Sequence, residues 1–162
     1  AKTFIYAFLY GAGASKIGKV VGVGAKEGQI LIDRFLKNLP SLAKLRTQVM
    51  ENSDKGTIKA LDGRQLHIRS SHSSLNTLLQ GAGAIICKEW LVQMDSFIKS
   101  SGIDAKLVAS VHDEYQFEVA KKDADVLGDI AKKAIKNTEE SLNVKCSLDC
   151  EYKVGNTWAE TH

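Results

Sequence analysis

Apolar residues recur at helical spacing through most of the first 51 residues. Positions three and four apart share one face of an α-helix, so this spacing predicts helices with one side directed toward a core. Four helices are predicted in this part of the chain, at residues 2–10, 15–21, 26–39 and 41–51. Gly11 ends the first helix, and Pro40 separates the last two. The glycine-rich stretch that begins at Gly22 predicts a flexible connector.

The spacing changes to alternation in two later stretches, "TIKALDGRQLHIR" and "AKLVASVHDEYQFEV". Each predicts a β-hairpin, and the first should turn at Asp62–Gly63 because glycine tolerates positive φ. Helical spacing returns at residues 73–99 and 123–141, and "SLDCEYKV" predicts a last strand. The predicted fold class is α+β, in which a helical segment is followed by antiparallel hairpins packed on long helices.

Composition places the chain among ordinary globular proteins and adds little about its partners. It has 162 residues, of which 44% are hydrophobic and 25% charged, with a formal net charge of +3. So mild an excess of positive charge does not by itself indicate nucleic acid. The three cysteines indicate a reducing compartment without disulfides. No apolar stretch reaches the length of a membrane span, so no membrane partner is predicted.

The first predicted helix carries a stripe of polar and aromatic residues. Lys2, Tyr6 and Tyr10 recur every four positions, so they line one side of the helix. A helix that is aromatic nearly all round is usually buried, but a lysine fits that interpretation poorly. Lysine binds phosphate as a point charge, and aromatic rings stack on bases and sugars. The stripe therefore indicates a possible nucleotide site.

A second polar stripe lies on the long predicted helix and just before it. His72, Asn76 and Gln80 stand four residues apart, opposite the apolar face. Exposed amides are common, but they also suit the minor groove, where every base pair presents acceptors. Gly81 and Gly83 follow them, and glycine inside a helix costs about 1 kcal/mol relative to alanine. Some other group is therefore expected to approach this helix closely.

The second hairpin carries His112, Asp113 and Glu114 at its centre. An aspartate there is an ordinary turn residue. Two adjacent carboxylates repel each other unless a cation lies near them, and oxygen ligands at a strand end suit Mg²⁺. Both a turn and a metal therefore remain explanations for Asp113.

Three segments, in their order along the chain, resemble the carboxy-terminal part of family A DNA polymerases. "KTFIYAFLYG" is similar to the signature of the fingers helix, "LNTLLQGAGAIICK" to a palm helix, and "VHDE" to the carboxylate motif of the palm hairpin. "LDGR", "RSSH" and "GNTWAETH" are most similar to the replicative polymerases of short-tailed bacteriophages. The resemblance covers essentially the whole chain. It implies a fingers part at residues 1–52 and a palm part at 53–162.

The resemblance implies a role for each residue of the nucleotide and metal sites. Lys2 would bind the triphosphate of the incoming dNTP and protonate the pyrophosphate leaving group. Tyr6 would pack on the sugar, where a tyrosine accompanies acceptance of dideoxynucleotides, and Tyr10 would guard the nascent base pair. Asp113 would bind the catalytic Mg²⁺ ions, with Glu114 close by in a supporting role.

The resemblance also implies contacts with primer-template DNA. Arg64 would approach the backbone, and Asn76 and Gln80 would lie in the minor groove near the primer end. His72 stands where many bacterial members have arginine. His112 would lie near the primer terminus.

One part of the family's site is missing from these 162 residues. The two-metal mechanism normally uses two aspartates, and the Asp-Tyr-Ser-type motif that carries the other is absent. The expected function is therefore the carboxy-terminal portion of a DNA-directed DNA polymerase. It would be inactive alone and would need an upstream thumb and palm segment, in the same chain or a separate one. Its expected location is the cytoplasm of a bacterial or phage-infected cell.

Two alternatives carry different expectations. The chain could be a non-catalytic module that binds primer-template DNA within a larger replication complex. It could also be an unrelated α+β metal hydrolase that uses Asp113, Glu114 and His112, which leaves the Lys2 stripe unexplained.

Overall fold

The computed structural model describes residues 2–53 and 55–162. They form two compact units, one ending at Ala82 and the other starting at Gly83. The α+β class predicted from the sequence is confirmed, because the units consist of helices and antiparallel β-hairpins. No helix in the described ranges is both long and apolar enough to cross a membrane. The predicted division into a fingers part at residues 1–52 and a palm part at 53–162 is a division by function, distinct from these two packing units, and it stays a prediction.

The first unit contains four helices, a short hairpin and the start of a long helix. Its elements are α1 (Lys2–Leu9), α2 (Ala14–Val21), α3 (Ala25–Asn38), α4 (Pro40–Ser53), β1 (Thr57–Lys59), β2 (Gln65–His67) and the beginning of α5 (Ser74–Ser101). Pro40 is the first residue of α4, where its missing N–H has no helical acceptor to lose. Gly63 has φ +89° in the connection between β1 and β2, so the predicted turn is confirmed.

Aromatic and aliphatic side chains from three helices and α5 form the core of this unit. Its buried members are Phe8, Ile17, Ile32 and Leu75. The ring of Phe35 meets Phe4 and Phe8 edge to face, with centroids 5.2 Å apart in both pairs. This geometry brings the positive ring edge against a negative ring face. The contacts with Phe35 place the Phe4 and Phe8 side of α1 in the core and leave the opposite side of the helix facing away from it.

The flexible connector predicted near Gly22 is wrong, because the structure has a tight corner there. Gly22 ends α2 with φ +79°, and α3 begins only three residues later, at Ala25. A Cβ on Gly28 would overlap the backbone of Ala14, so its absence lets α2 and α3 pack closely. Gly22 therefore serves the corner through its positive φ, and Gly28 serves the packing of the two helices.

The second unit packs two helices against one face of a hairpin. It contains the rest of α5, β3 (Ala105–Val111), β4 (Glu114–Val119), α6 (Ala124–Ser141) and α7 (Trp158–Thr161). Its core includes Met94, Ile98, Leu127, Ile130, Ala131 and Ala134, with Tyr115, Phe117 and Val119 packed against them. The three β4 residues alternate along the strand, so they share the face toward the helices.

Two long-range hydrogen bonds fix the helices and the hairpin of this unit. The indole N–H of Trp90 on α5 donates to the carbonyl of Ala131 on α6 at 3.0 Å. The hydroxyl of Tyr115 on β4 donates to the carbonyl of Cys87 on α5 at 2.7 Å. Half-buried aromatic residues with satisfied polar groups specify orientation as well as burial.

The strand predicted at residues 147–154 is wrong. Within the described residues this segment joins no strand ladder. Side chains of α6 hold it instead: the Glu139 carboxylate accepts the N–H of Leu148 at 2.7 Å, and Lys136 donates to the Leu148 carbonyl. The Tyr152 ring lies against Gly128, where a Cβ would overlap it. The alternating pattern therefore belongs to a segment that packs on a helix, without the backbone partner that a strand needs.

Candidate active site

The outward side of α1 carries the Lys2, Tyr6 and Tyr10 stripe. Tyr6 is 49% exposed and Tyr10 56% exposed. Their rings stack with centroids 6.2 Å apart and planes inclined by 18°, and the Lys2 Nζ lies 5.9 Å from the Tyr6 centroid. The core instead takes Phe4 and Phe8 from the other side of the helix. The stripe is thus an open surface with a cation at one end and two phenol rings beyond it.

The end of α1 lies against the 3₁₀ turn Ser71–Ser73, which precedes α5. Gly11 has φ +79°, and the N–H of Ala12 donates to the carbonyl of Ala7 at 2.9 Å, which closes the helix end. A Cβ on Gly11 would overlap the carbonyl oxygen of His72. The structure therefore brings His72 to the Tyr10 end of the stripe.

We expect Gly11→Ala to lower the free energy of unfolding of the first unit by about 2–4 kcal/mol, which combines positive-φ strain with the overlap on His72. Gly22→Ala is the matched control, because Gly22 has the same φ of +79° with no heavy atom within 4 Å of the added Cβ. It should carry only the strain, about 1–2 kcal/mol. Denaturant unfolding of the chain measures both. Equal losses would contradict a close contact between α1 and the His72 turn.

The polar stripe of α5 starts in the same 3₁₀ turn. His72 and Gln80 are exposed and Asn76 is half-buried, with Asn76 and Gln80 one helical turn apart. Gly81 receives the Leu66 side chain of β2, which explains that glycine by packing within the unit. Gly83 has no heavy atom within 4 Å of a built Cβ, so the helix surface there is open.

Asp113 lies at the tip of the β3–β4 hairpin. Val111 pairs with Glu114, so the turn consists of His112 and Asp113 alone. His112 has φ +54°, an uncommon value outside glycine that a two-residue turn requires. Asp113 is exposed, and within the described residues its carboxylate makes no hydrogen bond or ion pair. The turn therefore presents an unengaged carboxylate to solvent.

The carboxylate of Glu114 is engaged, unlike that of Asp113. It accepts a hydrogen bond from the Gln116 amide at 2.5 Å, and Nδ1 of His162 lies 3.2 Å from Oε2. The Gln116 bond first, and then the His162 contact, lower the pKa of Glu114 below its ordinary value. The hydrogen bonds hold Glu114 ionised and partly occupy its oxygens.

A family model for DNA polymerase family A matches residues 1–160. The chain belongs to DNA polymerase family A.

Phage and bacterial DNA polymerases are similar to it over its whole length. The DNA-directed DNA polymerases of Enterobacteria phage T3 and Escherichia phage T7 are each 39% identical to it, across 100% of this chain and 26% of the relative. DNA polymerase I of Pseudomonas aeruginosa is 28% identical across 100% of this chain and 19% of the relative. The chain therefore spans about a quarter of the length of its phage relatives.

The fold also matches a solved structure, the POL domain of Pol1 from M. smegmatis in complex with a DNA primer-template and dNTP. The TM-score is 0.77 at 21% identity, over 85% of this chain and 26% of that chain. This likeness supports the fold.

Family A polymerases generally use divalent metals, and the residues present here fit such an ion only in part. The unengaged Asp113 carboxylate is a hard oxygen ligand of the kind that Mg²⁺ takes. Glu114 adds oxygens that its hydrogen bonds already orient. Within residues 2–53 and 55–162, no three His, Cys, Asp or Glu side chains form a group that could hold a metal ion. The role of Asp113 and Glu114 as metal ligands stays a prediction.

Arg64 is paired within its own turn. Its Nε donates to Asp62 at 2.7 Å, and a second guanidinium nitrogen lies 2.6 Å from the same oxygen. The Arg64 hydrogen bond lowers the pKa of Asp62. Its predicted contact with the DNA backbone would use the other face of the guanidinium, and it stays a prediction.

The sequence interpretation missed the contacts of the chain's last residues with β4. Thr161 and His162 contact Gln116 and Glu114 respectively. The available signal was the Thr-x-x-Glu spacing in "NTWAETH", which is typical of a helix start and predicts an ordered turn there.

Proposed function

We propose that the chain is the carboxy-terminal part of a DNA-directed DNA polymerase that adds dNTPs to a primer 3′-hydroxyl. The observation that carries this proposal is the exposed, unengaged Asp113 at a two-residue turn, in a chain that belongs to family A. The exposed Lys2–Tyr6–Tyr10 stripe supports the same function independently. The reaction is inferred from the relatives, which are DNA-directed DNA polymerases. The Asp113 turn and the α1 stripe contain residues suited to that reaction.

The α1 stripe is proposed to bind the incoming dNTP. Lys2 neutralises the triphosphate and donates a proton to the pyrophosphate oxygen as the bond to the α-phosphorus breaks. Tyr6 packs on the sugar, and its neighbour Tyr10 stacks beside the nascent base pair. The order of cation, ring and ring along the helix matches the order of phosphate, sugar and base in a nucleotide.

The polar residues of the His72 turn, α5 and the hairpins are proposed to hold primer-template DNA. Asn76 and Gln80 donate to minor-groove acceptors, which every Watson–Crick pair presents, so they check duplex shape rather than sequence. His72 lies beside them, Arg64 approaches the backbone, and His112 lies near the primer terminus. The open surface at Gly83 leaves room for a close backbone or groove contact.

The carboxylate hairpin is proposed to hold Mg²⁺. Asp113 is the direct ligand, and Glu114 supports it. When bound, two Mg²⁺ ions would activate the primer hydroxyl and stabilise the leaving pyrophosphate, as in other two-metal enzymes. The second aspartate belongs to the upstream segment, which is therefore required for activity.

Reconstitution tests this proposal. The chain alone should extend no labelled primer, and addition of its upstream polymerase segment should give extension that requires Mg²⁺ and stops with EDTA. Robust extension by the lone chain would contradict the required second carboxylate. A reconstituted complex that binds primer-template but never incorporates a nucleotide would favour the alternative of a non-catalytic DNA-binding module.

A further inference from the structure

Positive charge is concentrated in the first unit, which the mild net charge of the whole chain conceals. Residues 1–82 contain 12 Lys and Arg against 5 Asp and Glu, whereas residues 83–162 contain 10 against 14. The β1–β2 hairpin and its flanks, residues 55–73, contribute four basic residues, two histidines and one acidic residue. That acidic residue, Asp62, is already paired with Arg64. The hairpin is therefore a basic part of a basic unit.

One face of the β1–β2 hairpin is apolar and packs within the unit. Ile58 is buried, and it pairs with Leu66 across the ladder. The Leu66 side chain lies where a Cβ on Gly81 of α5 would be. Residues opposite each other in a ladder share a face, and side chains alternate along each strand. The residues between these apolar positions therefore lie on the other face, away from α5.

The other face of the hairpin carries four exposed side chains that can donate hydrogen bonds, and we name it the basic face. Lys59 pairs with Gln65 across the ladder, and His67 follows Gln65 on the same side of β2. The N–H of Ile68 still donates across the ladder at 2.9 Å, so the alternation continues to Arg69. The basic face thus consists of Lys59, Gln65, His67 and Arg69.

The two permanent cations of the basic face are not engaged by carboxylates. Neither Lys59 nor Arg69 takes part in an ion pair within the described residues. The Cε of Lys59 lies 3.4 Å from the position of a Cβ on Gly63, so its stem runs along the turn. Side chains on one face of a strand are about 7 Å apart, and paired strands are about 5 Å apart. Donors spaced in this way suit a row of phosphates better than a single ion.

The hairpin lies beside the polar stripe of α5. Leu66 packs at Gly81, the residue after Gln80, and consecutive residues of a helix are separated by about 100° around its axis. Amides that enter the minor groove bring a DNA backbone to each side of them, because the groove is only about 6 Å wide. The hairpin occupies one of those sides. A duplex held by Asn76 and Gln80 would therefore have a phosphate strand near the hairpin.

We propose that the basic face binds the phosphate backbone of the primer-template duplex and sets how firmly the polymerase holds it. This inference rests on the proposed function, in which Asn76 and Gln80 lie in the minor groove. Lys59 and Arg69 supply charge to the phosphates, and the neutral donors between them add hydrogen bonds. Backbone contacts carry no sequence information, so this hold applies to every primer-template. The face includes no residue of the nucleotide or metal sites, so it leaves the chemical step unaffected.

The salt dependence of primer-template binding tests the proposal in the complete polymerase that carries this chain. We expect Lys59→Ala and Arg69→Ala each to raise the Kd about three- to tenfold at low salt. Each should also reduce the steepness of the plot of log binding constant against log salt concentration by about 1, because one fewer phosphate is neutralised. Both side chains are exposed, so the variants should fold as the wild type does.

Lys37→Ala is the matched control, because it removes an exposed lysine from α3 in the same unit. It should leave the Kd and the salt slope unchanged, whereas a general effect of net charge would change them as much as Lys59→Ala does. The increase in Kd should be equal for primer-templates of different sequence. An increase confined to one sequence would overturn a backbone contact.

Kinetics separate a duplex contact from a role in the reaction. At saturating primer-template, kcat for single-nucleotide incorporation and the KM for dNTP should stay within about twofold of wild type in both variants. A lowered kcat with an unchanged Kd would overturn the proposal.

A poly-glutamate peptide distinguishes DNA from an acidic protein segment as the ligand of the basic face. Peptide binding that both variants remove, with an unchanged Kd and salt slope for primer-template, would overturn the proposal in favour of an acidic protein partner. Binding is measured without dNTP or Mg²⁺, so it does not depend on catalysis. A wild-type polymerase that binds primer-template but incorporates no nucleotide would contradict the proposed function alone. A wild-type polymerase that does not bind primer-template would contradict both.

Discussion

Replacement of Asp113 by asparagine should reduce nucleotide incorporation by the reconstituted polymerase by at least about 10³-fold in kcat, on the order of 4 kcal/mol of transition-state stabilisation. The amide keeps the shape of the side chain but removes the charge that would hold Mg²⁺ at the turn. Because Asp113 is exposed and makes no side-chain bond within the described residues, its loss should not destabilise the hairpin. Quench-flow incorporation assays measure kcat, and primer-template binding should persist.

Asp104→Asn is the matched control for that substitution. Asp104 is an exposed carboxylate whose oxygen lies 3.6 Å from Lys106, and exposed ion pairs contribute about 0–1 kcal/mol. It should leave kcat within about twofold of wild type. An Asp113→Asn enzyme with near-wild-type kcat would rule out a metal-binding role for the turn and favour a module that only binds DNA.

Replacement of Lys2 by alanine should lower kcat/KM for dNTP about 10²-fold, the size of effect expected when one preorganised donor to a reacting group is removed. Lys2 is exposed and contacts Tyr6 only through a cation–π geometry, so the fold does not depend on it. Lys2→Arg keeps the charge but changes the donor geometry, and it should recover only part of the loss. Steady-state incorporation at varied dNTP concentration separates kcat from KM.

Lys19→Ala removes an exposed lysine from α2 and serves as the control for Lys2. It should change kcat/KM by less than about twofold. An equal loss in both variants would indicate a general effect of positive charge on DNA or nucleotide attraction rather than a specific phosphate contact, because long-range charge effects do not depend on one position. Higher salt would then reduce the difference from wild type.

Most elements were predictable from sequence because their periodicity is strong and their ends carry glycine or proline. The two hairpin turns followed from Asp62–Gly63 and from the polar residues between apolar runs. The exposed direction of Lys2, Tyr6 and Tyr10 was not decidable from α1 alone. It depends on Phe4 and Phe8 packing against Phe35, a residue of α3.

The errors come from side-chain contacts that a periodic pattern does not specify. Residues 147–154 alternate as a strand does, but their partner is the side-chain surface of α6, which sequence alternation cannot specify. The glycines from Gly22 onward looked like a connector because the sequence does not show that Gly22 ends α2 with positive φ or that Gly28 packs against α2. Arg64 looked free for DNA because both Asp62 and Arg64 lie in the turn between β1 and β2, where no regular spacing predicts which side chains meet.

The register of β3 has a consequence for how this family's sequences should be aligned. Leu107 pairs with Phe117 and Ala109 pairs with Gln116, so Val108 is an extra residue in β3. Opposite residues share a face, and the face toward the helices therefore passes from odd-numbered to even-numbered positions of β3. The number of β3 residues between Val108 and the turn therefore determines which side chains face the helices. A one-residue gap in an alignment of this strand would move every side chain between the gap and the turn to the opposite face of the hairpin. Such a gap should therefore be penalised as heavily as a substitution at each of those positions.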